Sequence, residues 1–308
     1  MADVSKGERQ NGKVYVIMKY TFYYRGDLSS CNYSCEYCPF SKEKQNSANL
    51  YNDKLQLERF VSWIKNKDWK DRKISLFFIP WGEALIHTWY QEALIELSQM
   101  KFVNKVVVQT NLSCDLDWLD NVNREKLALW ITYHPSQVNM NIFAGKLQAL
   151  REKGLQFSVG CVGKKEYKNE ILALKKKLET LLFKNVYMWV NAYKDEGIDY
   201  YSQDDIRFFE HIDKYFMQNL KDYESLGKEC RTGKSVFFVE GSGNIRRCNF
   251  ERGVLGNIYN TELEAIVCND KCKNKICDCY IGYINIEELN LTELYGNRIL
   301  ERIPIEMG

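Results

Sequence analysis

Cys31-Asn32-Tyr33-Ser34-Cys35-Glu36-Tyr37-Cys38 places three thiols within eight residues, spaced C-x3-C-x2-C. A structural zinc site wants four closed ligands, and a catalytic zinc site usually draws on histidine. The next histidine along the chain is His87. An iron–sulfur cluster takes thiolate at its irons. Three thiolates would leave one iron of a four-iron cluster without a protein ligand, open to another molecule. No helix-length apolar period runs through 23–44, and Pro39 follows the last cysteine. The motif therefore reads as a loop leaving the end of a first strand.

The rest of the chain bounds what such a loop serves. With 308 residues, 45% hydrophobic and 14% aromatic, the chain has ample length and composition for a packed core. Lys+Arg 43 against Asp+Glu 41 leaves a net charge of +2. That balance carries no electrostatic footprint for nucleic acid or an anionic membrane. No apolar run reaches the roughly 18 residues that span a bilayer. Met1 to Lys13 is polar, without the apolar core of a signal peptide. A cytoplasmic location is expected. Disulfides are rare there, and cysteines serve more often as ligands or catalytic groups. Of eleven cysteines, nine fall into two groups; Cys114 and Cys161 stand alone and read as small buried hydrophobes.

Apolar patterning supplies an alternation. Strands are expected at Val14–Phe22, Ile74–Ile79, Lys105–Gln109, Leu129–Tyr133, Gln156–Val162 and Asn185–Ala192. Helices are expected at Leu55–Lys65, Trp89–Met100, within Asp115–Leu127, at Val138–Lys153 (ending at Gly154) and at Glu166–Leu182. Strand–helix alternation implies a parallel sheet built from βαβ units. Six units are too few for a closed eight-stranded barrel.

C-x3-C-x2-C with an aromatic before the last cysteine, here Tyr37, resembles the radical S-adenosylmethionine (radical SAM) superfamily. The resemblance implies an α/β fold, a partial (β/α)6 TIM-type barrel. It also implies a [4Fe–4S] cluster on Cys31, Cys35 and Cys38, with SAM chelating the fourth iron. Further family elements fall in order at the expected strand ends. Pro80-Trp81-Gly82-Glu83 is similar to the family's Gly-Gly-Glu element, with Trp81 in place of the first glycine. Gly82 would let the backbone approach the ligand, and Glu83 would face the SAM ammonium. Thr110-Asn111 matches the pair that often closes the third strand. Thr132 stands where relatives place a hydroxyl near SAM, and His134 would point to the substrate. Gly160 to Glu166 resembles the G-x-I-x-G-x-x-E element, one residue short, with Val162 on the adenine.

The second cysteine group lies late in the chain. Asp204 to Leu220 reads as an amphipathic helix with an aromatic core face. Ser235–Val239 and Ile245–Cys248 read as a hairpin around Glu240-Gly-Ser-Gly-Asn244. A hairpin brings its ends together, so Cys230 and Cys248 can share one centre. Cys268, Cys272, Cys277 and Cys279 follow. The Cys230 and Cys248 spacing resembles the opening of the SPASM/twitch extension of many radical SAM enzymes, and a shorter twitch-like α+β extension fits best. It implies one auxiliary [4Fe–4S] cluster held by Cys230, Cys248 and two of Cys272, Cys277 and Cys279, with Cys268 left out. A structural zinc ribbon on the same residues stays open. Beyond it, Tyr283-Ile-Asn-Ile286 looks strand-like and a helix is expected near Leu291–Arg302.

These readings divide the chain into a lead-in (1–13), a radical SAM barrel (14–200), a linking helix (201–228) and a twitch-like domain with the C-terminal tail (229–308). The expected function is reductive SAM cleavage and hydrogen abstraction from a substrate, with the cofactor doing the chemistry and the protein positioning it. Only 13 residues precede the first strand, which leaves no space for a leader-binding module, so a small molecule is the expected substrate. A peptide or protein maturase of the sulfatase-maturase kind is the alternative. A non-catalytic redox or zinc protein is the competing class. The electron donor would be a flavodoxin or ferredoxin.

Overall fold

In this computed structural model the described residues are 9–10, 13–14, 19–40, 44–181, 186–194 and 197–307. Six parallel strands run side by side in chain order: β1 (Lys19–Arg25), β2 (Lys73–Phe78), β3 (Val103–Thr110), β4 (Leu127–Thr132), β5 (Gln156–Val162) and β6 (Met188–Asn191). Between them lie α1 (Ser47–Asn66), α2 (Thr88–Gln99), α3 (Met140–Glu152) and α4 (Lys168–Thr180). The protein is thus a mixed α/β fold around a parallel central sheet. The strands are apolar on both faces because both faces are covered, as parallel sheets require. Phe22, Leu76, Val106, Leu129, Val159 and Val190 pack under the helices. Tyr23, Phe77, Val107, Trp130 and Trp189 form a second core on the opposite face.

That opposite face is closed by the end of the chain. Ile281, Leu300 and Ile303 join its core. Near the strand starts, Glu301 is fully buried and pairs with Lys105 at 2.7 Å. Its carbonyl accepts from Ser158 Oγ at 2.6 Å. Arg302 lies over the Trp130 ring at 5.2 Å. Removing one partner of a buried ion pair strands the other's charge, so Lys105→Met should destabilise the fold by about 3–5 kcal/mol in chemical denaturation.

The late hairpin is no separate layer. β7 (Val236–Glu240) pairs in parallel with β1, and β8 (Asn244–Arg246) and β9 (Val254–Asn257) follow antiparallel, extending the sheet to nine strands.

Several expectations shift. The expected first strand is described over Lys19–Arg25, running on past Phe22, while Val14 pairs with Arg9 in a separate two-stranded ladder; residues 15–18 of the expected span lie outside the described residues. Part of the lead-in, Asn185 and Leu182 lie outside them too. The helix expected within Asp115–Leu127 is only a 3-10 turn, Asp117–Asn121. Trp118, Leu119 and Val122 all bury at that turn, and Asn123 then caps Glu125 N at 3.1 Å, so the chain enters β4 directly. The single helix expected at Asp204–Leu220 is two, α5 (Gln203–Ile212) and α6 (Phe216–Leu220). Buried Asp213 breaks it by accepting from Tyr187 Oη (2.5 Å), Val190 N (2.9 Å) and Tyr215 N (2.9 Å). Tyr283–Asn285 is a 3-10 turn rather than a strand. Its three residues are all buried, so no alternation exists to sustain a strand, and Arg231 N donates to Asn285 O at 2.9 Å. The late helix covers only Leu291–Tyr295, with a 3-10 turn after it. Cys114 and Cys161 are buried, as expected. No helix among the described residues is long and apolar enough to cross a membrane.

Candidate active site

The cysteine loop leaves β1 and is held from two sides before it reaches Cys31. On one side it zips to the loop after β2: Trp81 N donates to Leu28 O and Glu83 N to Ser30 O, each at 3.1 Å. Only glycine fits between them, since a Cβ on Gly82 would fall 2.0 Å from Ser30 O. The close approach at Gly82 is therefore to the cysteine loop's own backbone. On the other side α1 supplies Asp53, whose carboxylate accepts from Leu28 N (2.9 Å), Trp89 Nε1 (3.1 Å) and Tyr90 Oη (3.1 Å). Gln45 Oε1 accepts from Ser29 N (2.8 Å) and Ser30 N (3.1 Å).

Asp53 and Gln45 escaped the sequence reading. For Asp53 a signal existed: it continues the buried stripe of Leu57, Phe60, Val61 and Ile64 at helical spacing, an acid on an apolar face. Burial raises its pKa, and the three donors pull the other way.

Cys31, Cys35 and Cys38 line one cleft of about 300 Å³. Gly82, Glu83 and Asn111 face them, with Thr132 and His134 beyond. The ends of β2, β3 and β4 thus converge on the motif. Tyr37 and Val162 stand apart from this wall: Tyr37 is buried beneath, its ring parallel to His134 at 6.0 Å, and Val162 ends β5. Glu83 is almost wholly buried and accepts from Leu85 N (3.0 Å), Thr110 Oγ1 (2.7 Å) and Asn111 N (2.6 Å). It therefore ties β2's loop to β3's end as well as lining the cleft. Burial raises its pKa, against those hydrogen bonds.

His134 Nδ1 lies 2.8 Å from Tyr37 Oη and 3.2 Å from Cys35 Sγ. Burial lowers its pKa to about 4, so the ring is neutral at neutral pH. Burial also raises the Cys31 thiol, and Cys35 to about 11. Without a cation these two would stay protonated; an iron centre supplies the positive charge that thiolates need. Tyr33 N points at Cys31 Sγ at 3.4 Å, and Asn111 Nδ2 at 3.7 Å. Among the described residues no three His, Cys, Asp or Glu groups converge on a single-ion position. A cluster with one thiolate on each of three irons does not ask them to. The donor set and the cleft fit a cluster.

The second set gathers similarly. Cys230, Cys248, Cys272, Cys277 and Cys279 line one pocket walled by Phe238 and Ile286. Cys268 lies outside it and interacts with Asp270. Cys230 is pinned by a bridge to Ile286, and Ile276–Cys277 pairs antiparallel with Tyr223–Glu224. Gly282 has no room for a side chain: a Cβ would meet Cys279 Cβ at 2.9 Å. Burial raises Cys248 to about 11 and Cys277 to about 12. These thiols too stay protonated without a cation nearby, and five of them share one pocket, although among the described residues no three meet at a single-ion position.

Solved structures with bound AdoMet share this parallel α/β fold. Among solved structures, hexahistidine-tagged anSMEcpe with bound AdoMet matches at 16% identity over 92% of this chain and 88% of that one, with a TM-score of 0.54. Native anSMEcpe with bound AdoMet and the Cp18Cys peptide matches at 16% identity over 80% of each chain, with a TM-score of 0.53. Streptococcus suis SuiB bound to S-adenosylmethionine matches at 13% identity over 82% of this chain and 67% of that one, with a TM-score of 0.51. At these identities the likeness is one of fold. No family model and no curated protein sequence matches the chain.

Proposed function

We propose that this protein is a radical SAM enzyme with a second iron–sulfur centre. The observation that carries the reading is the cleft in which Cys31, Cys35 and Cys38 meet Gly82-Glu83, Asn111 and Thr132 from three strand ends. The fold it sits in is shared with AdoMet-bound enzymes. In this reading the six parallel strands are a partial (β/α)6 barrel and residues 229–308 a twitch-like extension. When bound, the cluster supplies the one electron that breaks a C–S bond of SAM and yields a 5′-deoxyadenosyl radical. The chain's own part is positional. The three thiolates hold the cluster, Glu83 and Asn111 hold the amino-acid end of SAM, and Thr132 donates to it. His134, neutral and backed by Tyr37, faces the substrate as a hydrogen-bonding group.

Cys230, Cys248 and two of Cys272, Cys277 and Cys279 hold the auxiliary [4Fe–4S] centre, for electron transfer or substrate binding. A flavodoxin or ferredoxin supplies electrons. A small molecule is the first substrate class to try. The peptide bound by anSMEcpe, which shares the fold, makes a peptide side chain the second substrate to try.

Anaerobic reconstitution with iron and sulfide tests this reading. About eight irons per chain, from two four-iron centres, and 5′-deoxyadenosine released on reduction with SAM are expected. Tight zinc, no iron–sulfur absorbance and no SAM turnover would sink it. Deuterium transfer from labelled candidates into 5′-deoxyadenosine then identifies the substrate.

A further inference from the structure

Arg25 ends β1, and its guanidinium lies between the two thiol sets. Nε donates to Ile79 O at 3.0 Å, immediately before Pro80-Trp81-Gly82-Glu83. An Nη donates to Asn249 Oδ1, and Asn249 follows Cys248. Its Cζ lies 5.3 Å from the Trp81 ring centroid. Trp81 in turn stacks on Phe40 at 5.7 Å and 4° at the mouth of the cleft. Its partners include a carbonyl, an amide and a ring face, and Cys279 lies within range of its charge. Burial lowers its pKa to about 10, which leaves it charged at neutral pH. The guanidinium is half-buried, with its bond to Asn249 at the surface, so it stands at the edge of the second cysteine set without being sealed from water.

We propose that Arg25 is a positioning residue that couples the two centres. Its fixed charge raises the reduction potential of the centre held by the Cys230–Cys279 set, and its two hydrogen bonds fix the Trp81–Glu83 wall against that centre. The inference rests on the reading that these cysteines hold an iron–sulfur cluster. A thiolate-ligated cluster is anionic and gains a further negative charge on reduction, so a neighbouring cation favours the reduced form. Arginine rather than lysine suits the place, because its planar fork serves two acceptors at once while carrying the charge.

The experiment uses the full chain with Cys31, Cys35 and Cys38 all replaced by alanine, so that only the second set loads. Iron content and an EPR-monitored redox titration are compared for Arg25, Arg25→Gln and Arg25→Lys. Arg25→Gln should shift the potential to more negative values at unchanged iron content, and Arg25→Lys should return it toward the parent value. If Arg25→Gln fails to hold iron, Arg25→Lys should restore it. Coincident potentials in all three chains overturn the proposal, as does a lysine variant that follows glutamine in potential or in iron loss, because shape and not charge would then be what matters. A parent chain that takes up no iron at the second set overturns the auxiliary centre itself, and this proposal with it.

Discussion

Cys38→Ala should reduce reductive SAM cleavage to background, whereas Cys248→Ala should leave uncoupled cleavage at least partly intact. Both variants are assayed for 5′-deoxyadenosine after reconstitution. The asymmetry follows from where the thiols lie. Cys38 shares its cleft with Cys31, Cys35, Gly82 and Glu83, so its loss leaves two thiols to hold a cluster beside SAM. Cys248 lines a separate pocket among four further cysteines, behind Phe238 and Ile286. Under the proposed function its loss removes a ligand from the second centre without touching the wall of the first. Coupling to substrate should suffer where cleavage does not. Equal loss of cleavage in both variants would contradict this division of roles.

Gly82→Ala should be nearly as damaging although it removes no ligand. The added Cβ would lie 2.0 Å from Ser30 O, 2.7 Å from Ser30 C and 2.8 Å from Ser30 N. All three are backbone atoms one residue from Cys31, so no rotamer change relieves the clash and the cysteine loop itself must move. A displacement near 1 Å in a positioned group can lower a rate by about 100-fold, and overpacking costs about 1–3 kcal/mol. We expect losses of that size in SAM cleavage and in thermal stability, with less iron at the first set. Gly145 is the control. It is an exposed glycine on α3 with nothing within 4 Å of its Cβ position. Gly145→Ala should be neutral or stabilising, by about 0.5–1 kcal/mol. A Gly82→Ala chain with wild-type cleavage would show that the zipped pair of loops does not position the cluster.

Much of the frame is legible in the sequence. Gln156–Val162 forms a strand over the bounds its β-branched and aromatic residues predicted, and Gly154 follows α3 with a positive φ. The six parallel strands follow their expected order. The hairpin between Cys230 and Cys248 formed. The misreadings share a cause. Asp213 breaks a helix that periodicity ran straight through, because its carboxylate is needed by β6 and Tyr187. Tyr283–Ile286 is apolar enough for a strand but is buried on every side, so pattern could not distinguish strand from turn.

The sequence by itself determined the cysteine motifs, their spacing and the order of the strands that carry them. These are local properties: a C-x3-C-x2-C loop and an apolar period are written in neighbouring residues. Only the tertiary structure decided which distant groups hold that loop. Asp53 beneath Leu28, Ser30 against Gly82, the chain end under Lys105 and Arg25 between the two cysteine sets are contacts between segments 25 to 224 residues apart. Such contacts depend on which strand ends become neighbours. Short-range spacing does not encode that; the packing of the whole sheet does.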